Sequence, residues 1–152
     1  MKLRKIASFE VNHNCLKRGI YTSRVDGDVV TYDIRMKQPN GGNYLANGAM
    51  HTIEHIVATF VRSSEYTDNI IYFGPMGCRT GFYLLVRDLS PETVIRLIRS
   101  AFEFLKGFAG EIPGASAVEC GNYLDHDLAG AKSEAAEYLP VIENWSVEKL
   151  TY

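Results

Sequence analysis

The chain has 152 residues and a formal net charge of −2 at pH 7, with 46% hydrophobic and 22% charged residues. This length and composition are typical of one globular domain, and we expect residues 1–152 to form it. The balanced charge excludes a large basic surface for nucleic acid, and no apolar run is long enough to span a membrane.

The N-terminus and the cysteines indicate the cellular compartment. The basic residues at positions 2, 4 and 5 are not followed by the apolar stretch that a signal peptide requires. The chain has three cysteines, an odd number, and they lie far apart in sequence: Cys15, Cys78 and Cys120. This argues against a disulfide framework and for a reducing environment. We therefore expect a cytoplasmic protein.

The first part of the chain predicts a β-hairpin, a loop and a helix. Side chains alternate over residues 20–36, with Asp26-Gly27 near the turn. Pro and Gly residues mark a loop over 38–43. The stretch 49–62 has no proline or glycine and follows Asn47, a good N-cap, so it predicts a helix.

The next part predicts two strands and a helix. Residues 69–73 and 80–86 are strand-like and are separated by a turn segment. Ser90-Pro91 is a typical helix start, with serine as N-cap and proline at the first position. The amphipathic helix that follows is expected to end near Gly107 or Gly110.

A third helix is predicted over residues 121–138, with Gly130 weakening its middle. Strands and helices do not alternate regularly along the chain. This order favours an α+β fold, in which helices pack on one face of an antiparallel β-sheet.

The sequence His51-Thr52-Ile53-Glu54-His55 is an H-x-x-E-H motif, the inverted form of the zinc-protease helix motif. Two histidines at i and i+4 share one helix face and can bind the same metal ion, with the carboxylate of Glu54 beside it. Two surface histidines beside an ordinary glutamate are the competing interpretation, because the motif is short.

The apolar residues of the same helix support the metal-site interpretation. Ile53, Val57, Phe60 and Val61 recur at helical spacing and predict a core-facing side. The histidines, Ala58 and Arg62 then lie on roughly the opposite side.

Two cysteines are candidate functional residues. Cys78 lies in a turn before Arg79, whose charge could stabilise a thiolate, although a half-buried apolar role is equally common for a free cysteine. Cys120 opens the predicted third helix, whose N-terminus would favour a thiolate. Together with His51 and His55, it would form a three-ligand site for Zn²⁺ or Fe²⁺ with one position open.

Several separated motifs resemble the S-ribosylhomocysteine lyase (LuxS) family. These are the histidine motif, the turn at 74–81, Glu119-Cys120-Gly121 and His126-Asp127-Leu128. The likeness begins at Ser8-Phe9-Glu10 and ends near Ala131-Lys132, with further matches at His13-Asn14, Asp33-Ile34-Arg35 and Gln38-Pro39-Asn40.

The resemblance implies a metal-dependent enzyme. It implies His51, His55 and Cys120 as ligands of one divalent ion, normally Fe²⁺ in the cell and often Zn²⁺ or Co²⁺ in preparations. Glu54 and Cys78 match the acid/base residues. The implied reaction cleaves S-ribosylhomocysteine to homocysteine and 4,5-dihydroxy-2,3-pentanedione, the precursor of the autoinducer-2 signal.

The resemblance also implies a homodimer with two active sites at the subunit interface. Ser8, His13 and Arg35 match positions that line the substrate pocket, and Arg62 matches the residue that meets the homocysteine carboxylate. One position departs from the family. Tyr72 stands where the family usually has an aspartate, in an Asp-Ile-Ser-Pro-Met-Gly-Cys run, so the substrate's amino group is expected to be held less tightly or by another carboxylate.

Two other classes of protein carry comparable motifs. An inverted-motif metallopeptidase would use Glu54 to activate water, but such chains are much longer and recruit a glutamate as third ligand. A non-catalytic zinc-stabilised module would need a fourth ligand, which His13 or His126 could supply.

Overall fold

Four β-strands and three α-helices form the chain, which a computed structural model describes from Met1 to Tyr152. The strands are β1 (Gly19–Asp26), β2 (Val29–Arg35), β3 (Ile70–Pro75) and β4 (Gly81–Arg87), and the helices are α1 (Asn47–Arg62), α2 (Pro91–Gly107) and α3 (Leu128–Ile142). Short 3₁₀ helices lie at Ala7–Phe9, Thr67–Asn69 and Val147–Leu150. None of the helices combines the length and the apolar character that crossing a bilayer requires.

The strands form one antiparallel sheet in the order β1-β2-β4-β3. Alternate side chains of each strand, such as Ile34 and Leu84, pack in one apolar core with the buried faces of the helices. The α+β fold with helices on one face is therefore confirmed. We call the opposite side of the sheet the outer face; it carries Tyr21, Thr31, Asp33, Arg35, Tyr72, Tyr83 and Leu85.

The predicted hairpin and the predicted second helix are confirmed. β1 pairs with β2 from Gly19↔Arg35 to Asp26↔Val29, and Gly27 in the turn has a φ of 62°, which glycine adopts readily. At the start of α2, the Ser90 hydroxyl accepts a hydrogen bond from the Thr93 backbone N–H at 3.2 Å, and Pro91 occupies the first turn. The helix ends at Gly107.

The start of α1 differs from the prediction. The helix begins at Asn47 after Ala46, and no side chain caps it, so the capping role of Asn47 is wrong. The start of α1 is instead determined by a distant part of the chain, because residues 126–127 pack against the first turn of this helix. A Cβ on Gly48 would lie 3.3 Å from the Asp127 Cβ, so glycine allows this approach.

The third helix also differs from the prediction. It begins at Leu128 and runs to Ile142, and Asp127 caps it by accepting a hydrogen bond from the Gly130 N–H at 2.8 Å. Residues 113–127 instead form turns over α1, where their carbonyl groups accept hydrogen bonds from its histidines. Cys120 therefore does not open a helix, and the stabilisation expected from a helix N-terminus is wrong.

Candidate functional site

Three histidines and one cysteine converge on one side of α1. The ligand atoms of His51, His55, Cys120 and His126 all lie within 4.8 Å of one another, and each residue is half-buried. His51 and His55 come from successive turns of α1, while Cys120 and His126 come from the turn segment that crosses it. We call this group the metal centre.

Hydrogen bonds define which ring nitrogen of His51 and His55 faces the metal centre. The Nδ1 atom of His51 lies 2.8 Å from the carbonyl oxygen of Asp125, and that of His55 lies 2.8 Å from the carbonyl oxygen of Pro113. A carbonyl oxygen only accepts, so each Nδ1 carries the proton and donates it. Each Nε2 is therefore left with a free lone pair, the form that binds a metal.

The same reasoning applies to His126. The hydroxyl of Thr52 donates its only proton to the carbonyl oxygen of Gly48 at 2.9 Å, so His126 Nδ1 must donate to Thr52 Oγ1 at 3.0 Å. The Nε2 of His126 is buried and has no hydrogen-bond partner in the chain. Burial, followed by the neighbouring charges of His51 and His55, lowers the pKa of His126 and so favours the neutral ring.

Cys120 supplies the sulfur of the metal centre. Its Sγ lies 3.4 Å from His51 Nε2, and its backbone N–H donates to the carbonyl oxygen of Ser116 in a tight turn. A thiol beside three imidazole lone pairs is a donor set that suits Zn²⁺ or Fe²⁺. The orphaned Nε2 of His126 further indicates that this space is built for a bound group.

Cys78 belongs to a second cluster, just before the start of β4. Its Sγ lies 3.0 Å from the hydroxyl of Thr80, and that hydroxyl accepts a hydrogen bond from Arg35 Nη1 at 2.7 Å. Arg35 also forms a two-pronged ion pair with Asp33, with distances of 3.1 and 2.6 Å. We call these four residues the thiol cluster; no hydrogen bond or ion pair of the chain joins it to the metal centre.

The other predicted site residues lie in three places. Ser8 and Tyr72 line a cavity of about 320 Å³ on the outer face of the sheet. His13 lies in the N-terminal segment, where its Nδ1 is 2.9 Å from the carbonyl oxygen of Val11. Arg62 ends α1, about 16 Å along the helix axis from His51, and donates to the carbonyl oxygen of Ile71 at 2.7 Å.

Glu54 is half-buried on α1, one residue before His55. Sequence reasoning named His126 only as an alternative fourth ligand and did not name Thr80, which links Arg35 to Cys78. His126 could have been recognised from the His126-Asp127-Leu128 motif, which is one of those that resemble the family. No local pattern pointed to Thr80, because its partner Arg35 lies 45 positions away in sequence.

Comparison with known proteins identifies the family of this chain. The sequence profile of the family described as S-Ribosylhomocysteinase (LuxS) matches residues 6–149. S-ribosylhomocysteine lyase of Phocaeicola vulgatus is 48% identical over 157 aligned positions, which cover 99% of this chain and 98% of that protein. The lyases of Clostridium acetobutylicum and Desulfotalea psychrophila are 46% and 47% identical, each over 99% of both chains. This chain therefore belongs to the S-ribosylhomocysteinase (LuxS) family.

Proposed function

We propose that residues 1–152 form a single lyase domain that cleaves S-ribosylhomocysteine to homocysteine and 4,5-dihydroxy-2,3-pentanedione, the autoinducer-2 precursor. The observation that carries the proposal is the convergence of three imidazole lone pairs and a thiol in a chain with this family match. An inverted-motif metallopeptidase is less well supported, because the curated relatives of nearly the same length are named as lyases.

We propose that His51, His55 and Cys120 bind one divalent ion, Fe²⁺ in the cell. Two imidazoles that bind one tetrahedral ion through Nε2, at about 2.1 Å, have ring centroids about 5 Å apart. The rings of His51 and His55 are 4.6 Å apart at an angle of 87°, close to that arrangement. The rings of His51 and His126 are 4.0 Å apart and nearly parallel, at 17°. His55 and His126, at 4.7 Å and 77°, also lie close to the geometry of two ligands of one ion, so the stacking of His126 on His51 is the feature that favours His126 as a neighbour of the ion.

The reaction requires groups that move protons between neighbouring carbon atoms of the ribose chain. When bound, the metal supplies Lewis acidity that polarises carbonyl and hydroxyl groups. Glu54 is suited to remove or return a proton on the side of the metal centre, and Cys78 on the other side. Two carbonyl shifts followed by β-elimination then release homocysteine without consuming water.

The thiol cluster supports the acid/base role of Cys78. Arg35 already donates to Thr80 Oγ1, so the hydroxyl proton of Thr80 is free to point at the sulfur. A hydrogen bond donated to sulfur, together with the nearby guanidinium charge, stabilises the thiolate that acts as the base.

We propose that the active enzyme is a homodimer in which the partner subunit supplies Ser8, His13 and Arg35. Exposed apolar side chains support this assembly: Ile6, Phe9 and Tyr72 near the outer face, and Val118 and Leu124 beside the metal centre. A two-fold arrangement that packs the first set on the second covers both and creates two equal sites.

Arg62 is proposed to bind the homocysteine carboxylate, because its side chain is exposed and a guanidinium can bind a carboxylate through two hydrogen bonds. All three cysteines are free thiols. A metal ligand and an acid/base residue among them need a reducing compartment, and we propose that the enzyme works in the cytoplasm.

The direct test of the function is release of homocysteine. Metal-loaded protein incubated with S-ribosylhomocysteine is expected to liberate one new thiol per substrate cleaved, measured with a chromogenic thiol reagent. A protein that binds metal but releases no thiol would instead be a zinc-stabilised module.

Metal binding is expected at about one divalent ion per chain, and His51→Ala is expected to lose it, because the ligand set would keep only two members. Elemental analysis of the purified proteins measures the ion. Wild-type protein and His51→Ala that both lack metal would contradict the proposed site.

His126→Gln is the matched control for the metal experiment. It removes the fourth donor that lies beside the proposed ligands, so it is expected to keep about one ion per chain. Loss of the ion from His126→Gln, to the extent seen in His51→Ala, would make His126 a ligand and would favour the closed four-ligand site.

The dimer is expected to combine the metal centre of one subunit with the thiol cluster of its partner. Cys78→Ala and His51→Ala proteins, each inactive alone, are therefore expected to regain about a quarter of wild-type activity when their subunits are mixed and exchanged. Half of the dimers would then be mixed, and each would have one intact site out of two. Absence of recovery after proven exchange, or sedimentation of an active monomer, would reject the shared site.

A further inference from the structure

The last residue of the chain lies over the outer face of the sheet. The ring of Tyr152 stacks on that of Tyr21, with centroids 5.0 Å apart and an angle of 18°. Its hydroxyl donates to Asp33 Oδ2 at 2.6 Å. Burial, followed by the charge of Asp33, raises the pKa of Tyr152 well above its ordinary value, so the hydroxyl keeps its proton.

Asp33 needs this donor because its charge is fully buried. Asp33 has 0% and Arg35 has 3% of its surface exposed. A buried ion pair is stable only when its remaining lone pairs also find hydrogen bonds. The carboxylate accepts two hydrogen bonds from Arg35, and Tyr152 shares the Oδ2 atom with Arg35 Nη2.

Arg35 transmits this arrangement to the sulfur of Cys78. Its Nε and Nη2 are bound to Asp33, while its Nη1 donates to Thr80 Oγ1 at 2.7 Å, and Thr80 Oγ1 lies 3.0 Å from Cys78 Sγ. A guanidinium is planar and rigid, so a change in how Asp33 holds one edge also moves the Nη1 group. The hydrogen bonds form one continuous path from the C-terminal residue to the thiol.

We propose that Tyr152 is a positioning residue for the Cys78 thiol. The proposal rests on the proposed function, since it assigns a role within the same site. By donating to Asp33, the Tyr152 hydroxyl offsets part of the carboxylate charge that attracts Arg35. Without it, Asp33 draws the guanidinium away from Thr80, and the sulfur loses both the oriented hydroxyl and part of the positive charge.

The test compares Tyr152→Phe with Tyr66→Phe, both in a Cys15→Ser background that removes the other exposed thiol. Tyr66 is the control because its backbone N–H and carbonyl make its hydrogen bonds, whereas its hydroxyl makes none. The metal-loaded proteins are treated with iodoacetamide at pH 7, and alkylation of Cys78 is followed by mass spectrometry of its peptide.

Tyr152→Phe is expected to slow alkylation of Cys78 by about three- to tenfold, the size expected when the sulfur loses one ordinary hydrogen bond. Its melting temperature is expected to lie a few degrees below that of Tyr66→Phe, because the buried Asp33 carboxylate loses a donor, and its kcat is expected to fall while KM changes little. Equal alkylation rates in the two variants would overturn the proposal, as would a fall in kcat without a change in alkylation. If the wild-type protein released no homocysteine, the proposed function would fail, whereas the alkylation comparison would still be readable.

Discussion

Cys78→Ala is expected to lower kcat by about a hundredfold to ten-thousandfold while the metal stays bound, because general acid/base groups contribute factors of this size. Cys78 is the sulfur that Thr80 and Arg35 orient, and it lies outside the metal centre. Glu54→Gln is expected to behave in the same way, since it keeps the shape of the side chain but cannot accept a proton. Homocysteine release and elemental analysis on the same preparations measure both effects.

Cys120→Ala is the informative comparison for these two variants. It removes the sulfur of the metal centre, so metal content and turnover are expected to fall together. Turnover near the wild-type level in Cys78→Ala would move the acid/base role to another residue. Loss of metal from Glu54→Gln would place the carboxylate among the ligands.

Tyr72→Asp is expected to raise the preference for substrate with an amino group by about tenfold over its des-amino analogue, as a charge-assisted hydrogen bond would. Tyr72 is 50% exposed and lines the same outer-face cavity as Ser8. Towards an ammonium group the Tyr72 hydroxyl can accept a hydrogen bond but brings no negative charge, and its ring can make a cation–π contact of about 0.5–2 kcal/mol. The wild-type enzyme is therefore expected to cleave both compounds and to discriminate less between them than Tyr72→Asp does.

A second substitution, at Gly74, tests whether the Tyr72 ring occupies the position proposed for it. A Cβ added at Gly74 would overlap the hydroxyl and ring of Tyr72. The tyrosine at position 72 therefore requires glycine at position 74. The family run has Asp and Ser at these two positions. Gly74→Ser is therefore expected to displace the Tyr72 ring in the wild-type background, but to be accommodated in Tyr72→Asp.

The measurement is kcat/KM for S-ribosylhomocysteine and for the des-amino analogue in the four proteins of this double-mutant cycle. The cost of Gly74→Ser should be larger beside Tyr72 than beside the aspartate, because only the tyrosine overlaps the new side chain. A wild-type preference for the amino group equal to that of Tyr72→Asp would show that another group of this chain binds it.

Much of the fold could be predicted because its signals are local. The hairpin followed from alternation and a glycine turn, and α2 followed from Ser90, which caps the helix, and Pro91, its first residue. The spacing of His51 and His55 on α1 also depends only on helix geometry, so the motif could be interpreted without a structure. Boundaries were less predictable, as Asn47 and residues 121–127 show, because packing between distant segments determined them.

The sequence by itself determined which groups are the candidates for chemistry in this protein: two histidines one turn apart, a carboxylate between them and two thiols. Only the tertiary structure decided how these groups are oriented. The carbonyl groups that orient His51 and His55 lie 74 and 58 positions away in sequence, and Arg35 reaches Thr80 across 45. Hydrogen bonds over such separations exist only after the sheet and helices have packed, and no periodicity or capping rule encodes them. For the same reason the bare Nε2 of His126 and the contact of Tyr72 with Gly74 emerged only from the folded chain.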